Sequence, residues 1–179
     1  FNLDRVKMAL EPDTRLSESE LLKIHFAVKD LLKNKPIQHV VGETEFCELK
    51  FKVNENVLIP RPETSEMVYK IVNKTTGQQD KEFCSRIDAE SQSQKSTAKS
   101  QKPLSILDIG TGSGCIAISL AKLLPEAQVY ALDISEEALN VAKENAKIND
   151  VNITFIHEDS LTLTQTSTLT QTKFDIIVS

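Results

Sequence analysis

Apolar positions recur along this chain in two rhythms. Leu21, Ile24, Val28, Leu31 and Leu32 return every three or four residues, which predicts a helix that Pro36 stops. Ser17-Glu18-Ser19-Glu20 ahead of them has the form of a capping box, in which a serine hydroxyl and a glutamate satisfy free amides reciprocally. Lys23, Lys29 and Lys33 fall on the other side and read as the solvated face of a packed helix. Residues 1–16 are expected to hold the end of a preceding helix and a turn around Pro12-Asp13. From Thr44 the period shortens. Phe46, Leu49, Phe51 and Val53, then Val57, Leu58 and Ile59 beyond Asn54-Glu55-Asn56, predict two short strands around a turn. Pro62 suits the first turn of a helix whose buried stripe is Met67, Val68, Ile71 and Val72.

The most regular pattern lies further on. Strands are expected at 105–109, 128–133, 152–157 and 174–179, with helices at 115–124 and from Ser135 to about Asn149. Glu136 and Glu137 sit in the first turn of the second helix, where the dipole favours acids. Alternating strands and helices predict an α/β fold with a parallel sheet, right-handed crossovers and a ligand site at the carboxyl ends of the strands. Two segments break the pattern. Residues from about 74 to 103 are rich in Ser, Gln, Lys and Thr, with one apolar cluster at Phe83-Cys84; 162–173 repeats Leu-Thr-Gln-Thr. Both bury too little apolar surface to offset chain entropy, and read as a mobile insert and a variable surface loop.

Composition narrows the class. The 179 residues are 40% hydrophobic and 26% charged, values of a soluble globular protein of one domain, or one plus a small appendage. No apolar run is long enough for a membrane span and no basic-then-apolar leader is present, so no membrane partner is expected; three widely spaced cysteines make a reducing, cytoplasmic compartment the expectation. The net charge of −5 is uneven: residues 104–179 carry 4 basic against 10 acidic side chains. That balance of −6 disfavours nucleic-acid phosphates as partners, because their binding depends on Lys and Arg displacing counterions. Cys47, Cys84 and Cys115 form no CxxC pair, which argues against a disulfide framework and a zinc site. His25, His39 and His157 lack metal-ligand or triad spacing and read as packing or surface residues; no metal is expected.

Candidate chemistry concentrates at Asp108-Ile109-Gly110-Thr111-Gly112-Ser113-Gly114-Cys115, which joins a predicted strand to a predicted helix and holds three of the five glycines. Glycines there allow a sharp turn and leave the backbone open to a ligand; a tight turn without a ligand is the bland alternative. Asp133 ends the next strand, 23 residues after Gly110, where an acid can accept hydrogen bonds from ribose hydroxyls. A dinucleotide fingerprint would need glycine at 115, which is Cys. The G-x-G-x-G spacing instead resembles class I methyltransferases, whose loop cradles the amino-acid part of S-adenosylmethionine. Asp159, beyond the third strand, matches the acidic position that faces adenine in that superfamily, or is an ordinary loop acid.

Three segments together carry a closer resemblance: 36–46 (Pro-Ile-Gln-His-Val-Val-Gly-Glu-Thr-Glu-Phe), 56–64 (Asn-Val-Leu-Ile-Pro-Arg-Pro-Glu-Thr) and 107–114. They are similar to the HemK/PrmC family, protein-glutamine methyltransferases acting on the Gly-Gly-Gln motif of peptide chain release factors. The resemblance implies a helical substrate-recognition segment at 1–40, a β-hairpin linker at 41–60, and a Rossmann-like domain binding S-adenosylmethionine at 61–179. It implies a release factor as protein partner. Position by position it places Gly110, Thr111, Gly112, Ser113, Gly114 and Asp133 on the cofactor, Asp159 and Ser160 beside the adenine, and Arg61–Thr64 at the pocket's border. Three departures stand out. Ser65 replaces the usual Glu, Ser160 replaces an often larger residue, and the sequence ends at Ser179, where the family continues into the Asn-Pro-Pro-Tyr that holds the substrate amide. No catalytic residue is therefore assigned, and an inactive fragment of a longer enzyme is the expectation. Alternatives are an adenine amino-methyltransferase of nucleic acid, a dinucleotide-dependent oxidoreductase, and a binding module.

Overall fold

The computed structural model describes residues 9–10, 15–77, 103–161 and 173–179. Most of the expected helix end and turn at 1–16, most of the 74–103 insert with Phe83-Cys84, and most of the 162–173 loop lie outside them. The chain divides after Gly42 into two compact units.

The first unit holds α1 (Glu18–Leu31) and α2 (Ile37–Val41). The expected capping box starts α1: Ser17 Oγ accepts from Glu20 N at 3.4 Å, and Ser17 N donates to Glu20 Oε2 at 2.8 Å. The packed stripe does not form as expected. No residue of α1 is buried, and Leu21, Val28 and Leu32 are 54%, 48% and 80% exposed. The short α2 went unanticipated beyond Pro36; Gly42, at φ 82°, closes it in the left-handed conformation.

The second unit opens with a hairpin, β1 (Glu43–Phe46) and β2 (Leu49–Lys52), turning at Cys47-Glu48. Both turn residues have positive φ, 47° and 62°, the twist that matches a two-residue hairpin. This corrects the predicted pairing across Asn54-Glu55-Asn56. Val57, Leu58 and Ile59 are not a strand; Asn56 N donates to Asn54 Oδ1 at 3.0 Å and Val57 N to Asn54 O at 3.2 Å, closing a turn. Val53 and Val57 are buried as loop residues in one cluster with Ala138 and Val141, so their apolar character reflects packing on a helix rather than strand alternation.

α3 (Pro62–Thr76) follows, with Pro62 at its first position and Val68 and Val72 buried; Met67 and Ile71 are half-buried, so the expected stripe forms. The helix runs three residues into the segment expected to be an insert. Then come β3 (Ser105–Ile109), α4 (Cys115–Leu123), β4 (Gln128–Asp133), α5 (Glu136–Ile148), β5 (Thr154–His157) and β6 (Ile176–Val178). The four strands form one parallel sheet in the order β5-β4-β3-β6. This is the predicted α/β fold. Ser135 caps α5 as expected, accepting from Ala138 N at 3.1 Å.

The core joins Ile106, Val129, Ala131 and Val178 of the sheet to Ile118 and Leu120 of α4 and Val68 and Val72 of α3. Phe46 and Phe51, edge to face at 6.2 Å between ring centres, belong to the same core. The hairpin, expected as part of a linker, thus shares the interior of the sheet unit. Among the described residues no helix is long and apolar enough to cross a membrane.

Candidate functional site

From β3 the chain crosses to β4 and then β5 on one side, while β6 lies on the other. The carboxyl end of β3 is therefore the switch point, where adjacent connections diverge and leave a crevice. Gly110–Gly114 occupies it. Gly110, Gly112 and Gly114 all adopt positive φ, at 72°, 54° and 79°. Their surroundings differ. A Cβ on Gly110 would meet nothing within 4 Å, and one on Gly112 only Gly110 O at 4.0 Å. A Cβ on Gly114 would lie 2.9 Å from Ile118 Cδ1 and 3.1 Å from Ala142 Cβ. The first two glycines leave an open backbone face for a ligand; the third lets α4 and α5 approach each other.

The loop is tied to the neighbouring strand. Gly110 N and Thr111 N both donate to Leu132 O, at 2.8 and 3.0 Å, and Gly114 N donates to Thr111 O at 2.8 Å. Gly112 N donates to Asp133 Oδ2 at 2.8 Å, and Ser135 N to Asp133 Oδ1 at 3.0 Å. Asp133 is nearly buried and held by both oxygens, each with a lone pair left for a ligand hydroxyl. Asp159 follows β5, whose His157 pairs in register with Asp133, so the acid falls at the same end of the sheet. It is half-buried and accepts from Leu161 N at 2.9 Å; Ser160 is exposed. The loop, Asp133 and Asp159 thus come from three adjacent strand ends. Arg61–Glu63 are exposed at the start of α3.

Asp108 stands in the candidate motif, but the sequence reading gave it no role. It is 1% exposed beneath the loop and accepts from Thr111 Oγ1 at 2.7 Å and Ala117 N at 3.3 Å. Burial pushes its carboxyl up to about 6, and the Asp133 charge adds to the rise, against the two hydrogen bonds. An acid between Leu107 and Ile109 in a strand, two residues before Gly110, was the available signal. Burial drives the Cys115 thiol up to about 11, which disfavours its thiolate form. Burial also raises Cys47. Among the described residues no group of three or more His, Cys, Asp or Glu could hold a metal ion.

These contacts limit what can bind. Four of the five loop amides donate within the protein, and two carboxylates flank the loop, so a pyrophosphate would meet few donors and like charge. A ligand with hydroxyl donors and a positive centre fits better.

Comparison with known proteins agrees. Residues 100–179 match the Methyltransferase domain family. The second unit has an α/β fold with a glycine loop at its switch point, and its part from residue 100 onward is similar to that family. Over nearly its whole length the chain is homologous to release factor glutamine methyltransferases. It is 47% identical to that of Flavobacterium psychrophilum over 99% of this chain and 54% of the relative. To that of Lactococcus lactis it is 43% identical, covering 92% and 50%, and to that of Bacteroides thetaiotaomicron 39%, covering 100% and 54%. The chain spans about half the length of these curated relatives.

Proposed function

We propose that this chain forms the cofactor-binding part of a release factor glutamine methyltransferase, which moves a methyl group from S-adenosylmethionine to the side-chain amide nitrogen of the glutamine in Gly-Gly-Gln. The observation that carries it is the 47% identity across 99% of the chain, joined to a glycine loop whose geometry suits such a cofactor. When bound, S-adenosylmethionine supplies an electrophilic methyl on a sulfonium. Gly110 and Gly112 offer it an unobstructed backbone, with Thr111, Ser113 and Gly114 shaping the turn. Asp133 would accept hydrogen bonds from the ribose hydroxyls, and Asp159 and Ser160 would border the adenine. Asp108 and Asp133 supply a negative field for the positive centre. An amide nitrogen is a weak nucleophile, so alignment in a desolvated pocket must carry most of the acceleration.

The first unit is assigned to substrate recognition. Support comes from the exposed apolar side chains of α1, among them Leu21, Leu22 and Phe26, which suit a protein surface better than phosphate. The test is isotopic methyl transfer to a release factor by the full-length protein. Label should disappear when the Gln of Gly-Gly-Gln is replaced; label that persists would overturn the substrate assignment.

A further inference from the structure

We propose that Asn145 is a positioning residue: its amide sets the conformation of the glycine loop by tying it to the hairpin. Asn145 lies on α5 and is 0% exposed. Its Oδ1 accepts from Lys52 N at 2.7 Å, and its Nδ2 donates to Lys52 O at 3.0 Å and to Ser113 O at 2.9 Å. One amide thereby uses three of its four hydrogen-bonding positions on two segments distant in sequence. A buried amide in an apolar helix face is costly unless satisfied, so its partners define its use.

The Ser113 carbonyl is the critical partner. It sits between Gly112 and Gly114, both at positive φ, in a stretch with little intrinsic preference for one backbone conformation. Gly112 N is held by Asp133 and Gly114 N by Thr111 O, but those bonds fix amides; the Asn145 bond fixes the carbonyl between them. Asn149, the cap one turn further on at the end of α5, is the natural control. It also clamps the hairpin, its Nδ2 donating to Lys50 O at 2.9 Å and to Asn145 O at 2.9 Å rather than to the loop. Losing either asparagine loosens the hairpin from α5, whereas losing Asn145 alone frees the Ser113–Gly114 peptide.

The cofactor part of this inference rests on the proposed function, so the experiment has two readouts. The chain with Asn145→Ala, Asn145→Ser or Asn149→Ala is compared with the unaltered chain by amide hydrogen exchange and by titration with S-adenosylhomocysteine. Serine is one bond shorter than asparagine but remains polar, and it decides the matter if the alanine variant does not fold. Both Asn145 variants should speed exchange at the Gly112 and Gly114 amides about tenfold and weaken S-adenosylhomocysteine binding about tenfold. Asn149→Ala should change neither by more than about threefold while lowering stability comparably. Equal loop exchange in Asn145→Ser and Asn149→Ala would overturn the positioning role. Absence of S-adenosylhomocysteine binding by the unaltered chain would instead strike the proposed cofactor, and loop exchange would still decide the clamp.

Discussion

At the scale of single residues, the loop separates two uses of glycine. Gly110 and Gly114 both have positive φ, but only Gly114 has no room for a methyl group. Gly110→Ala should therefore cost about 1–2 kcal/mol of left-handed strain. Gly114→Ala should cost about 2–4 kcal/mol, because overpacking against Ile118 and Ala142 adds to the strain. Urea denaturation of the two variants checks the difference. Asp108 yields a pH prediction. Its carboxyl titrates near 6 in the folded protein against an ordinary 3.8, so folding favours its protonated form. That contribution is complete below about pH 4 and is lost as pH rises through 6, reaching about 3 kcal/mol. Asn at 108 can still accept from Thr111 and Ala117 without the charge. Asp108→Asn should flatten the stability profile between pH 4 and 6 and leave the protein at least as stable at pH 7, as thermal unfolding across that range would show.

At the scale of elements, local chemistry and tertiary packing agree in some places and conflict in others. Ser135 caps α5 as its sequence suggests, and Ser135→Ala should lower stability by about 1 kcal/mol, read from the urea midpoint. The β1–β2 turn shows a conflict. Cys47 and Glu48 both adopt left-handed backbone conformations although neither is Gly or Asn, so no turn signal marked the hairpin. Cys47 packs against the core, and Phe46 and Phe51 on either side are buried in it, which holds the turn in place. Glu48 is free of that constraint and strained, so Glu48→Gly should raise stability by about 0.5–1 kcal/mol, visible as a higher Tm. The same packing explains why Val53 and Val57 mimicked strand alternation.

At the scale of the whole molecule, charge and exposed apolar surface point in one direction. Residues 104–179 carry a balance of −6, and two acids lie at the glycine loop. Binding of a 20-base-pair duplex at 0.15 M salt should be weaker than about 10⁻⁴ M, because too few cations face the site to release counterions. Fluorescence anisotropy with labelled DNA checks this; micromolar binding would favour a nucleic-acid substrate. α1 illustrates what a periodic pattern can and cannot say. Helical spacing and the Ser17 cap specify the helix itself. Whether its stripe is covered depends on what lies against it, and no residue of α1 is buried.

The alternation of strands and helices from residue 105 onward, the caps at Ser17 and Ser135 and the position of the glycine loop were readable from the chain, because they follow from local periodicity, cap chemistry and glycine spacing. Asp133 was readable for the same reason: it ends a strand beside that loop. Contacts distant in sequence were not. Asn145, 32 residues from Ser113 and 93 from Lys52, carries no local mark of its role. The burial that raises Asp108, the crowding at Gly114 and the hairpin's place in the core likewise arise only when separate segments meet. Local pattern determined the alternating strands and helices from residue 105 onward and the place of the glycine loop; tertiary packing decided the hairpin and which residues hold the loop in shape, since burial and hydrogen-bond partners belong to the assembled fold.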